Sequence, residues 1–340
     1  SGRLVPMPSF RPFPRSLHRK MQIRCRHSQV FCTACQCCGM NGVSEIMTNT
    51  LAGSRLKPGL GARTHLSNML FLLPTVLLFL VVVLLPVLQG IPYSFTSWKS
   101  IISTEHPFNG LANYRYLLGN KYFRMSLMVT FSFTIQYMLL SMLFGFGLAL
   151  LIYKASRFNN VCRTIFFLPF TTSVTAGAIV WSYVYTDMYG TLTGLVSPLG
   201  LPNQIVPAMA LMASWRDMGY AMLIFIAALQ TVPHDYYEAA TVEGANTWQQ
   251  FIHITLPNIV PAFTTNTTLL LAWGLRTFDL PAVVAQNMQE GQTTAFYIYQ
   301  SIFANNKASL GQAAAIILTV ILIVLTQIVT RSLRRLEVEA

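Results

Sequence analysis

Apolar residues along this chain gather into six long runs separated by shorter polar stretches. The runs are Met69–Ile91, Met125–Tyr153, Val161–Tyr185, Ile205–Leu229, Ile259–Ala282 and Leu310–Leu333. Each meets the roughly 20 residues that a helix needs to cross about 30 Å of hydrocarbon. The pattern predicts an all-α polytopic membrane protein of six spans, with both termini on one side. The first and last runs are almost purely aliphatic. The fourth carries Trp215, Arg216 and Asp217, so it is expected to line a wet cavity or to break there. The fifth carries Arg276 and Asp279 near its end. Pro74, Pro86, Pro92 and Pro169 are expected to kink or end spans.

The stretch between the fourth and fifth runs, residues 230–258, carries a different pattern. Asp235-x-x-Glu238 predicts a capping box with Asp235 as N-cap, and Thr247-x-x-Gln250 predicts a second. Gly244 lies between them, where a left-handed residue would end the first helix. Pro257 marks the start of the fifth span. Two short helices lying across the cytoplasmic end of the bundle are expected.

Composition supports the membrane reading. Of 340 residues, 53% are hydrophobic and only 10% charged, with a mean hydropathy of +0.49; a soluble domain carries about 25% charged residues. The net charge of +12 would suit nucleic acid if it covered a folded surface, but it is concentrated at one end. Residues 1–68 hold ten Lys/Arg against the single acid Glu45, while the remaining 272 hold thirteen against ten. Such an arm is retained in the cytoplasm by the positive-inside bias. The span-flanking charges agree, with nine cations on the expected inner side, among them Lys154, Arg163 and Arg334, against five outside. The chain therefore divides into a basic, disordered cytoplasmic arm, residues 1–68, and a transmembrane domain, residues 69–340. The first apolar run starts too far in and runs too long to be a cleaved signal peptide.

The arm crowds Cys25, Cys32, Cys35, Cys37 and Cys38 together. Cys32-x-x-Cys35 has metal-ligand spacing, but a second well-spaced pair is missing, so no metal site is expected. Residues 1–46 are expected to be an unstructured or extraneous extension, with the functional protein starting near Met40 or Met47. Cys162, at the start of the third run, is expected to be a packing residue.

Residues 230–258 also carry Glu238-Ala239-Ala240, three residues, Gly244, nine residues, then Ile254-x-Leu256-Pro257. This resembles the EAA signature of permease subunits of binding-protein-dependent ABC importers. Gly110-Leu111-Ala112-Asn113-Tyr114 and Arg163-Thr164-Ile165-Phe166-Phe167-Leu168-Pro169 make the likeness strongest to the maltose-type and glycerol-phosphate-type carbohydrate permeases. The chain departs from them at Val129-Thr130 and at Val284–Gly291. The resemblance implies a type I importer architecture in which residues 230–258 form a coupling helix docked on a separate ATPase dimer. It further implies a second homologous permease, an extracytoplasmic solute-binding protein and surrounding lipid as partners, in the plasma membrane of a prokaryote.

The chain has no Gly-x-x-x-x-Gly-Lys-[Ser/Thr] loop, so ATP and Mg are expected on the ATPase and no cofactor in this chain. It also lacks His-Glu-x-x-His and Gly-x-Ser-x-Gly, which weighs against a membrane enzyme. A passive channel would have no use for the coupling loop. The implied cargo is a sugar, most simply an oligosaccharide; glycerol phosphate, a polyamine or another small solute remain alternatives. Candidates for the substrate path are Trp215, Arg216, Asp217, Tyr220, Trp273, Phe278 and Asp279, with Trp181, Gln136, Asn266 and Thr267 as further aromatic and polar groups. Adjacent Arg216 and Asp217 are expected to project apart, whereas the spacing of Arg276 and Asp279 allows a local ion pair.

Overall fold

The computed structural model describes residues 60–99 and 106–335, and of these nothing is said about the side chains of residues 60–68 and 70. The cysteine-rich arm, and with it the metal and start-site expectations, lies outside the described residues. The chain divides into two units at Val76 and Leu77. Helix α1, Leu60–Phe79, passes through a π turn, Leu80–Leu84, into α2, Leu85–Ser94. Helices α3, Ala112–Gly119, and α4, Lys121–Ile152, follow. Helices α5, Arg157–Phe167, and α6, Val174–Tyr183, flank a break, and α7, Ile205–Thr231, comes next. Then come α8, His234–Val242, α9, Val260–Leu275, α10, Asp279–Val284, α11, Thr294–Tyr299, and α12, Ala308–Arg334. Among the described residues β pairing is limited to one isolated bridge, Thr96 to Phe108.

The core is a three-helix stack of α4, α7 and α9. Val129, Phe133 and Tyr137 pack with Val206, Met209 and Met212 at one end; Ala149 and Ile152 pack with Met222, Phe225 and Ile259 at the other. Helices α4 and α7 are therefore parallel, and α9 runs against them. Small residues permit the close approach. A Cβ on Gly145 would lie 2.8 Å from the Ala221 methyl and 3.0 Å from the Met218 carbonyl oxygen. One on Gly219 would collide with the Phe166 backbone. Lipid offers no hydrophobic drive between helices, so this kind of backbone proximity supplies packing instead.

The six apolar runs do not map onto six straight spans. By length and composition, three helices among the described residues suffice to cross a membrane: Phe71–Ser94, Lys121–Ile152 and Ala308–Arg334. A fourth candidate, Arg157–Thr171 with Val174–Thr193, is bent by 97°. The break falls at Thr172–Ser173, whose backbone is extended, just after a 3₁₀ segment, Leu168–Thr171, that holds Pro169 in its first turn. The fourth run does not break at Trp215–Asp217; α7 is continuous over 27 residues. The fifth run does break, after Leu275, and resumes as α10. The apolar side chains of 71–88 are almost all exposed, as a lipid-facing or partner-facing helix requires.

Candidate functional site

Two features are joined by α7, one beside its middle and the other just past its C-terminal end. The first is a cleft of about 760 Å³ between α4, α6, α7 and the α9–α10 break. Trp181, Trp215 and Trp273 supply aromatic walls; Arg216, Asp217, Arg276, Thr277 and Asp279 supply polar ones. Trp181 and Trp215 meet edge to face at 5.8 Å. Tyr220 does not line the cleft but supports it, with its ring 5.2 Å from Trp273 and 4.9 Å from Phe170.

At the base of the cleft Asp217 is 3% exposed. Its carboxylate accepts a hydrogen bond from the Tyr137 hydroxyl at 2.5 Å and one from Arg216 Nε at 2.6 Å. The expectation that Arg216 and Asp217 project apart is thus corrected. Arginine has three methylenes, enough to curl back over one residue of rise, and burial of Asp217 rewards the contact. The same guanidinium lies 5.8 Å over the Phe170 ring. Arg276 and Asp279 do not pair: among the described residues the ion pairs are Arg216–Asp217 and His234–Glu238. Arg276 ends α9 and Asp279 begins α10, so the helical i,i+3 geometry that would join them is absent. Both charges face the cleft instead.

Of the seven path candidates, the cleft collects Trp215, Arg216, Asp217, Trp273 and Asp279. Phe278 turns away and packs on Phe296 and Tyr299, at 6.1 and 5.0 Å. Gln136 points outward and donates to Ser132. Asn266 is buried and donates to the Ala221 carbonyl, and Thr267 donates to Met142 sulfur, so both join helices. The residue that sequence reasoning passed over is Tyr137, one position from Gln136.

The second feature is the loop after α7. Helix α8 has Pro233 at its N-cap and no side-chain cap, so the proposed Asp235 cap is corrected: Asp235 already lies in the first turn. Glu238 is solvent-exposed, with Oε1 3.7 Å from His234 Nδ1, and does not reach back to cap. The helix ends as its glycine predicts. Gly244 has φ +83°, its N–H donates to the Thr241 carbonyl, and that of Ala245 donates to Ala240, a Schellman motif. The second capping box exists but one residue earlier. Asn246 accepts from Gln249 N–H at 2.9 Å, and its own N–H donates to Gln249 Oε1 at 2.8 Å. Asparagine is the better N-cap, so it displaces Thr247 from that role.

Cross-links hold the loop in shape. Gln250 donates to Thr241 Oγ1 and to the Ala245 carbonyl, and Tyr237 shares a hydrogen bond with Thr255. A π turn, Phe251–Thr255, and a short turn, Leu256–Asn258, lead into α9. The outward surface is an open groove of about 1030 Å³ lined by Ala239, Ala240, Gly244 and Ile254 together with Tyr236 and Gln249. Leu256 and Pro257 lie outside it, on the turn that redirects the chain. Two large apolar side chains next to the groove are exposed: Val242 at 89%, and Trp248 at 68% with one face stacked on Phe251. Apolar exposure of this kind on a rigid scaffold marks an interaction surface.

Comparison with known proteins adds the following. The family model described as "Binding-protein-dependent transport system inner membrane component" matches residues 138–338. A probable starch degradation products transport system permease of Thermoanaerobacterium thermosulfurigenes is 31% identical over 278 residues, covering 79% of this chain and 94% of the relative. An arabinooligosaccharides transport system permease of Bacillus subtilis is 34% identical over 274 residues, 76% of this chain and 86% of the relative. In solved structures, a chain of a bacterial ABC transporter that imports the acidic polysaccharide alginate superposes with a TM-score of 0.70 at 22% identity. That superposition covers 80% of this chain and 96% of the other.

Proposed function

The chain belongs to the family of binding-protein-dependent transport system inner membrane components, and we propose from that premise that the tryptophan-lined cleft is its sugar path and the Gly244 loop its ATPase dock. The protein is a membrane permease subunit of an ABC importer, not an enzyme. ATP and Mg belong to the partner ATPase dimer. The loop faces the cytoplasm, as do both termini, and a second permease completes the path opposite the cleft. A solute-binding protein delivers cargo from the other side of the membrane.

One observation carries the reading: α7 joins the two features as a single uninterrupted rod. From Asp217 at the cleft to Thr231 at the loop is about 21 Å along the helix. A push on the loop is therefore transmitted to the cleft wall with little room for absorption. ATP drives transport only if it favours one of two bundle states, and the rod is the element that both sites bias.

Carbohydrate is favoured as cargo by the relatives' named substrates and by the cleft's chemistry. Three indole faces suit the C–H faces of sugar rings, while Arg276, Thr277 and Asp279 offer donors and acceptors to hydroxyls. Asp217 is already engaged by Tyr137 and Arg216, and Asp279 shares the lining with the cations Arg216 and Arg276, so the cleft offers a polyamine no run of anions. The test is uptake of labelled oligosaccharides into proteoliposomes carrying the whole assembly. ATP-dependent sugar uptake is expected. Uptake of spermidine or glycerol phosphate, and of no sugar, would reverse the cargo reading.

A further inference from the structure

A second cleft, of about 850 Å³, opens at the end of the bundle opposite the Gly244 loop. It is formed by α3, the start of α4, the α10–α11 connection and the turn before α12. Its lining is rich in amides and phenols, among them Tyr116, Tyr122, Gln289, Gln300 and Asn305, with the amine of Lys307 beside them. Gln289, Asn305 and Lys307 are exposed and Gln300 is half-buried, so their polar ends are open to a ligand in the cleft. Neighbouring Gln292, in contrast, is held by the carbonyls of Ala285 and Gln286.

Local backbone strain maintains this wall. Gln300–Ala304 is a π turn, and Asn306 has φ +50°, the one left-handed non-glycine among the described residues. π turns inside helices and left-handed non-glycine residues cluster at functional sites because they cost free energy to hold. The Lys307 N–H donates to the Ser301 carbonyl and the Asn305 N–H to Gln300, fixing the turn. Together these features aim Gln300, Asn305 and Lys307 into one space.

We propose that this outer cleft is a second carbohydrate subsite, which holds an oligosaccharide on its way to the central cleft. The proposal rests on the sugar reading above. Each amide offers two donors and an acceptor, matching the paired hydroxyls of a sugar ring, and the phenols offer faces. Lys307 is the sole charged residue in the lining, so the site accepts neutral or acidic sugars and repels a polyamine. The two clefts share a wall. Tyr137 and Ser126, one in each, stand about 16 Å apart along α4. Between them Thr130 Oγ1 accepts from Thr294 N–H at 2.8 Å. Thr293 donates to the carbonyl of Thr277, a residue of the central cleft, at 2.7 Å.

The test uses the whole assembly in proteoliposomes with maltotetraose and an arabinan-derived oligosaccharide as probes. Gln300→Leu with Asn305→Leu is expected to raise KM for uptake about tenfold at unchanged kcat. Docking of the loaded binding protein, read by its retention on immobilised assembly, is expected to stay the same. Asn305→Asp, which keeps an acceptor, is expected to remain within about threefold of the parent. An unchanged KM in the double variant overturns this subsite while leaving the cargo reading intact. A rise in KM matched by an equal loss of docking also overturns it, assigning the cleft to the binding protein's surface. An assembly that moves spermidine or glycerol phosphate but no sugar overturns both readings together.

Discussion

Gly244 offers a clean perturbation of the loop. Its φ of +83° lies where side chains with a Cβ are strained, yet a Cβ built there meets nothing within 4 Å. Any effect of substitution is therefore a backbone effect, free of clashes. Forcing an ordinary residue into the left-handed region costs about 1–2 kcal/mol, which lowers the population of the native turn roughly 5- to 30-fold relative to its alternatives. The turn also anchors the Thr241 and Ala240 carbonyls and sets the angle between α8 and the Asn246-capped helix. Gly244→Asn should cost least, because asparagine tolerates the left-handed region; Gly244→Ala should cost more and Gly244→Val most. The assay is ATP hydrolysis stimulated by the loaded binding protein in reconstituted assemblies, with permease abundance checked by blot. Stimulation should fall in the order Gly, Asn, Ala, Val. Equal activity across the series would show that the left-handed turn is dispensable and that the loop geometry does not carry coupling.

Other residues give further expectations. Asp217→Leu strands the Tyr137 hydroxyl and the Arg216 guanidinium at a buried site, a loss of about 3 kcal/mol that should appear as a lowered unfolding temperature in detergent; Asp217→Asn, which keeps an acceptor, should lose less. Gly219→Ala drives a methyl into the Phe166 backbone, which should cost about 1–3 kcal/mol by overpacking and be visible in the same thermal assay. Trp248→Ser removes a 68%-exposed apolar side chain beside the groove and its stacking on Phe251; as a hot-spot aromatic it should weaken ATPase association by about 2 kcal/mol, with a smaller loss, about 1 kcal/mol, in the permease's own stability. Trp273→Ala should raise KM for sugar uptake severalfold without changing ATPase association, read by transport and pull-down in parallel.

Much of this architecture can be read from local pattern, and the failures are specific. The glycine turn and the second capping box of the loop are legible because each obeys a short-range backbone rule, with Asn246 rather than Thr247 as the cap because asparagine is the better one. The Asp235–Glu238 box does not form, because α8 already starts at His234 and Glu238 stays exposed beside that residue. Tyr137 is marked by its place on a helix face and not by its own polarity. On α4 the inward face is written in small and hydroxyl residues at helical spacing: Ser126, Thr130, Thr134, Ser141, Gly145 and Ala149 are all buried. That stripe places Tyr137 inside and Gln136 outside. The Arg216–Asp217 pair could not be read from spacing, because it depends on burial of Asp217 against α4, a long-range contact. The breaks in the third and fifth runs have local signals: Pro169 precedes one, and Pro281, which cannot donate back to the Thr277 carbonyl, follows the other, where α10 packs against α6.

The central claim is that the Gly244 loop is the surface on which an ATPase subunit docks. A photo-reactive amino acid placed at Val242, 89% exposed and packed on nothing, tests it in native membranes. Irradiation followed by mass spectrometry of the cross-linked product is expected to yield an ATP-hydrolysing subunit, with yield changing when ATP is supplied. Cross-links solely to lipid, or to proteins unconnected with ATP hydrolysis, would contradict the claim.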